Sequence, residues 1–340
     1  MNDNRILMLV DYRGTFYSST KKVAGSMDVQ KLSKLFENHG FDVRVESFTD
    51  VDFRSDRYRG IHVVYQSSED PDLYYKDYIE DVLLGLELIG AILVPNFFKF
   101  RAHHNKVFME ILRDVSGSPL IQSLKSQSFG TLDEFKLNLD RFNLPVVIKP
   151  SAGARSQGVE MASAKGDLIR VASRISRSLS LFNVRRMFAG LVNGKGYKPI
   201  SNHRRKFLVQ EFVEGLSCDY KVVVYKDKFY FFRRDIKPGD FRASGTQDFT
   251  FPLEAPEGLL DYAEQIFKLF NVPFASFDIA IKNEAFHLLE FQFVSFGQRA
   301  LERSEVYFTK HDGQWHSAKC FSDLEENFVD SIVWYISKQT

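Results

Sequence analysis

Apolar runs and amphipathic stretches alternate along the first hundred residues. RILMLV (5–10) is an unbroken apolar run of strand length. After a polar loop opening with DYRG, the stretch MDVQKLSKLFENHG (27–40) repeats its apolar residues at helical spacing and closes on Gly40. FDVRVESF (41–48) alternates like a strand, and GIHVVYQSS (60–68) and AILVP (91–95) read as further strands. Between them PDLYYKDYIEDVLLGLELIG (71–90) reads as a helix, with Pro71 near its start. Strands alternating with helices predict a parallel α/β domain over residues 1–100. Ligands of such domains sit beyond the carboxyl ends of the strands, which makes loops 11–20 and 66–72 candidate substrate loops.

The pattern changes after residue 100. HHNKVFMEILRDV (103–115) predicts a helix, LPVVIKP (144–150) a strand, SAGARSQGVEMA a glycine-bearing turn, and KGDLIRVASRISRSLSLF another helix. Residues 183–206 carry seven Lys/Arg and no acid, with the Gly, Pro and Asn content of a loop or flap. From FLVQEFVEG (207–215) onward the chain is strongly strand-forming. DYKVVVY and KFYFFRRDI form a hairpin around Lys226-Asp227, followed by the loop KPGDFRASGTQDF. A helix over PEGLLDYAEQIFKLFN, the hairpin FDIAIKNEAFHLLEFQF (277–293) and a last helix, DLEENFVDSIVWYISK, complete the chain. The expected division is therefore an α/β domain (1–100), a second piece (101–206) and a third of mixed antiparallel character (207–340).

The 277–293 hairpin holds an anomaly. With Asn283-Glu284-Ala285 as a three-residue turn, Asp278 falls opposite Glu290 and Ser276 opposite Gln292, all on one face. Phe277, Ile279, Ile281, Leu289, Phe291 and Phe293 take the other face. Two opposed carboxylates repel, by roughly 1 kcal/mol in water and several times that at a partly buried site. A hard divalent cation removes the penalty, because it binds carboxylate oxygens at close range.

Composition narrows the function classes. The chain has 340 residues with 45 Lys/Arg against 44 Asp/Glu, so no global charge draws it to nucleic acid or an anionic membrane. Cys218 and Cys320 alone make neither a disulfide framework nor a metal cluster, and the N-terminal apolar run is too short for a signal peptide or a membrane span. A cytoplasmic location is the expectation. The eight histidines show no ligand spacing, and His103 and His104 are expected to face solvent near a helix start. No Ser-His-Asp or Cys-His arrangement stands out.

A cation held by two or three protein ligands leaves room for substrate phosphates. Lys149 ends an apolar strand, and behind it Gly153 and Gly158, with the small residues Ser151 and Ser156, let backbone N–H groups approach phosphate oxygens. The spacing is not that of a P-loop. Strand 207–213 runs into a polar linker whose amides could grip an adenine edge, with Glu214 or Asp219 reaching ribose hydroxyls. Arg233, Arg234, Lys237 and Arg242 surround a glycine-bearing loop.

In this order, over residues 100–297, these stretches resemble the ATP-grasp superfamily. VQEFVEGLSCDYKVVV and RRDIKPGDFRASG look like the hinge and phosphate-contacting segments of the ribosomal-protein glutamate ligase branch. The resemblance implies an α/β and α+β architecture, an ATP-grasp fold preceded by the N-terminal parallel domain. It implies ATP and Mg²⁺ (or Mn²⁺) as cofactors. Lys106 and Lys149 would contact the nucleotide phosphates under a lid of residues 151–158. The backbone from Gln210 to Val213 would hold the adenine, with Glu211 at its edge. Lys221 and Arg242, with Arg233, would stabilise the transferring phosphoryl group. Asp278, Glu290 and Gln292 would bind the metal. Two departures stand out: the family reads Glu-x-Asn where this chain has Glu290-Phe291-Gln292, and FVSFGQRALERSEVYF does not follow the family's usual continuation.

The function implied is ATP-dependent ligation of a carboxylate to an amine through an acyl phosphate. The alternatives are phosphorylation of a small acceptor on the same fold, or a non-catalytic ATP-binding regulator. The expected partners are a small-molecule, peptide or sugar-acid carboxylate and an amine, without membrane. The basic segment could clamp an anionic substrate, and its thin aromatic content, Phe188 and Tyr197, argues against RNA. The resemblance allows a homodimer, and the sequence leaves the oligomeric state open.

Overall fold

The first apolar run forms strand β1 (Arg5–Val10) in the computed structural model, which describes residues 4–18, 25–153, 156–178, 200–243, 249–321 and 323–339. A short ribbon of β2 (Phe16–Tyr17) with β3 (Ser26–Met27) follows, then α1 (Val29–Asn38), β4 (Asp42–Ser47), β5 (His62–Val64), α2 (Tyr74–Leu88), β6 (Ile92–Val94) and α3 (Phe97–Arg101). The four longer strands make the expected parallel sheet, in the order β4-β1-β5-β6. α1 packs on one face of β1 and α2 on the other, so both faces are buried, which is why its apolar run is unbroken. Ile6 and Met8 enter one core with Phe36 of α1, while Leu7 and Leu9 enter another with Val82 and Leu86 of α2. The Asp28 side chain caps α1 by accepting from the N–H groups of Gln30 and Lys31. α2 starts three residues later than its apolar pattern suggests, because Asp72 and Leu73 take left-handed backbone angles of +62° and +61°.

Contacts divide the chain into two units. One comprises Met1–His103, Cys218–Asp235 and Gln247–Thr340, the other His104–Ser217 and Ile236–Thr246. The second, smaller unit holds α4 (Lys106–Val115), β7 (Ser126–Phe129), α5 (Leu132–Lys136), β8 (Val146–Pro150), β9 (Glu160–Ala162), α6 (Lys165–Ser176) and β10 (Phe207–Glu211). Its strands form an antiparallel sheet ordered β7-β10-β8-β9 over a core that includes Phe135, Ile148, Val171 and Phe207. β7 and α5 lie in a stretch where the apolar pattern gave no strand or helix. Residues 183–199 of the basic segment fall outside the described residues, as do 179–182 of the expected helix.

The larger unit continues with β11 (Cys218–Tyr225), β12 (Lys228–Asp235), β13 (Phe249–Thr250), α7 (Leu259–Phe270), β14 (Phe274–Lys282), β15 (Ala285–Gln292), α8 (Arg299–Arg303), β16 (Val306–His311), β17 (Gln314–Lys319) and α9 (Leu324–Ser337). The strands run β15-β14-β11-β12-β16-β17, with β13 on β12. One face of this sheet is apolar at one end, where Val223, Tyr225, Phe232 and Phe274 share a core with α1, α9 and β1. The same face is charged at its other end. No helix among the described residues is long and apolar enough to cross a membrane.

Candidate active site

The opposed carboxylates are real, but they arise differently from the expected register. The β14–β15 turn has two residues, Asn283 and Glu284, with φ of +49° and +65°, so Lys282 pairs with Ala285 and Ile279 with Leu288. Left alone, that register would put Glu290 on the wrong face. A bulge at Leu289 inserts one residue, after which Asp278 pairs with Glu290 and Ser276 with Gln292. Leu288, not Leu289, is therefore the leucine buried on the opposite face, beside Phe277 and Phe291.

Pairing of β14 with β11 and of β11 with β12 brings more charge to this face. Lys221 lies opposite Asp278, and Asp219 lies opposite Arg234. Lys221 Nζ donates to Asp278 Oδ1 at 3.1 Å, and an Arg234 NH2 nitrogen reaches Asp278 Oδ2 at 2.9 Å. Arg234 also grips Asp219 with two bonds, Nε to Oδ1 at 2.6 Å and NH2 to Oδ2 at 2.7 Å. Burial alone would raise the Asp278 pKa, but Arg234 and Lys221 outweigh it and hold the carboxyl well below its usual range. Burial and the neighbouring Asp278 raise that of Asp219. Gln292 Nε2 faces Glu290 Oε1 at 3.5 Å.

Two expected residues turn out otherwise. Arg233 does not join the group: strand alternation sends it to the other face, opposite Tyr220, where it pairs with Asp235 at 2.7 Å. Its neighbour Arg234, 5% exposed, takes the central place. Asp219, expected at a ribose, is buried with both oxygens on Arg234. The signal for Arg234 was present. A two-residue turn at Lys226-Asp227 pairs Tyr225 with Lys228, and counting back from there sets 219 against 234.

In the smaller unit, Lys149 on β8 donates to Gln210 Oε1 at 2.7 Å. Gln210 is 3% exposed and its Nε2 is buried with no partner among the described residues, a donor left for something else to satisfy. Lys106, the first residue of α4, is buried and holds the glycine turn by donating from Nζ to the Gly153 carbonyl at 2.7 Å. Ser151 Oγ and Lys206 Nζ converge on Asn105 Oδ1 at 3.1 and 3.0 Å. Gly153, Ser156 and Gly158 all have positive φ, and a Cβ on Gly158 would come within 3.2 Å of Pro150 Cγ. Ala154 and Arg155 lie outside the described residues.

β10 is flanked on both edges, so its backbone goes to neighbouring strands through Gln210. Glu211 closes a ring with Lys125, its N–H donating to the carbonyl at 2.9 Å and its carboxylate accepting the N–H at 3.0 Å. That occupies the side chain expected at the adenine edge, and leaves Phe212, Val213 and Glu214 as the run beyond the ladders. Arg242 makes a two-point pair with Asp240 at 2.9 and 3.0 Å, which lowers the Asp240 pKa to about 2. His103, expected in solvent, is 1% exposed in the larger unit.

No family model and no curated protein matches the sequence. Solved structures do. The chain is similar to D-cycloserine synthetase DcsG at 14% identity and a TM-score of 0.54, covering 98% of this chain and 99% of that one. It is similar to D-alanine–D-alanine ligase from Bacillus anthracis at 13% and 0.52, covering 98% of both. It is similar to a RimK-domain ATP-grasp protein from Sphaerobacter thermophilus at 12% and 0.51, covering 98% and 99%. A mixed α/β chain matched over nearly its whole length to these structures has the ATP-grasp fold.

Proposed function

We propose that the protein is an ATP-dependent carboxylate–amine ligase that forms an amide or peptide bond through an acyl phosphate, releasing ADP and phosphate. One observation carries the reading. Asp278, Glu290 and Gln292 share a sheet face with Lys221 and Arg234, an acid-and-base set that a merely structural sheet would avoid. The fold agrees, since its solved neighbours include ligases and a D-alanine–D-alanine ligase complexed with ATP.

The donor set fits a hard cation such as Mg²⁺. Both carboxylates are oxygen donors, and Asp278 keeps acceptor capacity beyond its two bonds to Lys221 and Arg234. Gln292 directs its amide nitrogen at Glu290, so serving as a ligand requires the amide to turn over. A cation held there would neutralise charge on the phosphate oxygens.

The protein's own residues do the rest. Lys149 and the turn from Ser151 to Gly158 receive the nucleotide phosphates, with Lys106 fixing the turn from below. Gln210 offers its unsatisfied N–H, and the run to Val213 and Glu214 lines the adenine and ribose. An oxygen of the substrate carboxylate attacks the γ-phosphorus, the bond to the ADP oxygen breaks, and Lys221 and Arg242 stabilise the transferring group. The amine nitrogen then attacks the acyl carbon and phosphate leaves with the bonding pair, while the amine gives up a proton.

The test is phosphate release from Mg-ATP, with ADP and AMP resolved, across amino acids, short peptides and sugar acids, alongside Glu290→Ala. The expected result is ADP and phosphate that require one carboxylate and one amine and vanish in the variant. Hydroxylamine should trap the acyl phosphate. ADP formed with no hydroxamate, and a phosphorylated product instead, would replace the ligase with a kinase.

A further inference from the structure

The larger unit uses the stretch directly after Gln292 to join two parts of its fold. Ser295, in a left-handed conformation (φ +47°), donates from Oγ to Gln66 Oε1 at 2.7 Å and accepts the Ser67 N–H at 3.0 Å. Gln66 and Ser67 follow β5, at the carboxyl end of the parallel sheet. Three residues on, Gln298 accepts the Tyr225 hydroxyl at 2.8 Å and donates to the Phe296 carbonyl at 2.9 Å. The end of the carboxylate strand is thus stitched to the loops where a parallel α/β domain receives its ligand.

Between these groups lies a small notch lined by Tyr17, Ser18, Gln66, Tyr225, Ser295 and Gln298 over an apolar floor. It has room for one heavy atom such as a water or hydroxyl oxygen. Ser18 is 3% exposed and its hydroxyl has no partner among the described residues. None of the described residues that line it is charged. A buried hydroxyl in a neutral notch selects a neutral hydrogen-bonding group of its own size.

We propose that the notch is a specificity subsite that takes a hydroxyl of the substrate, with Ser18 as its reader. The assignment rests on the ligase reading for which substrate is turned over, but not for whether the notch binds a hydroxyl. A charged substrate end would find no counter-ion among the described lining residues, and a methyl in place of the hydroxyl would leave Ser18 unsatisfied.

Two measurements test it. The first compares hydroxyl and methyl partners (serine with alanine, threonine with valine) in the ADP-release assay, using wild type and Ser18→Ala. The expected result is a preference of roughly tenfold for the hydroxyl member. Ser18→Ala should erase the preference while retaining turnover of the methyl member. A preference unchanged by Ser18→Ala, or absent in wild type, overturns the proposal. If no pair gives ADP, the ligase reading is what has failed, and the second measurement decides the notch alone. Crystals soaked in methanol should show its oxygen within hydrogen-bond distance of Ser18, and Ser18→Ala crystals should not. A Ser18 turned onto a protein group, or methanol density unaffected by the substitution, overturns it.

Discussion

The two candidate sites hold their charges in different ways. In the larger unit Asp219, Arg234, Asp278 and Lys221 are fixed by one another on neighbouring strands, each reachable by counting along a ladder. In the smaller unit Lys106 and Lys149 are held by a backbone carbonyl and an amide oxygen, next to a turn with left-handed residues. The first arrangement is a preformed lattice with little freedom to rearrange. The second set of contacts runs to neutral oxygens, which hold an ammonium less tightly than a carboxylate does. A site that must hold a metal geometry suits the first, and one that must admit and release a nucleotide suits the second.

The largest expected effect breaks the lattice. Arg234→Met leaves Asp219 and Asp278 buried without their shared cation and should cost about 3–5 kcal/mol in urea unfolding. Arg233→Met, on the other face with its acid largely in water, should cost less than about 1 kcal/mol. Equal losses would refute the assignment of faces. Glu290→Gln keeps the strand intact and should lower ADP formation about a hundredfold or more, with unfolding changed by less than about 1 kcal/mol.

Lys99 sharpens the contrast from inside the larger unit, since no counter-charge faces it among the described residues. Its ammonium sits 4.8 and 5.0 Å from the ring centres of Phe270 and Phe293, and burial lowers its pKa to about 8 from an ordinary 10.5. The fold favours the neutral amine. Its contribution is therefore most favourable above pH 10.5, falls as pH drops from there to about 8, and is constant below. Lys99→Met should raise stability by about 1–2 kcal/mol at pH 7 and flatten the pH dependence across that window, as thermal melts would read. The smallest effect concerns the turn. Gly158→Ala, strained at φ +70° and crowded by Pro150, should cost about 1 kcal/mol and raise KM for ATP a few-fold.

Much of this was legible in the sequence where period and pairing agree. The parallel sheet followed from its runs, and Asp278 opposite Glu290 from counting, although two unanticipated features, a shorter turn and a bulge, cancelled to give that pair. The β16–β17 hairpin was readable but missed: Asp312-Gly313, both at positive φ, is a strong turn signal between alternating residues. β7 was not readable, because SQSF has one apolar residue and is a strand only through its pairing with β10. Glu211 could not be assigned either, since its partner Lys125 is 86 residues away and no local pattern links them.

The bulge at Leu289 works like a frameshift and its suppressor. The turn advances the hairpin by one position, and the extra residue restores the frame before the last carboxylate is reached. Upstream of Leu289 the strand is read in one phase, and downstream in the other. Pairing the strand without the bulge would leave every residue of the motif present in the sequence, yet send Glu290 and Gln292 to the apolar face and bring Phe291 to the charged one. A comparison of relatives by motif spelling alone would score such a chain as intact.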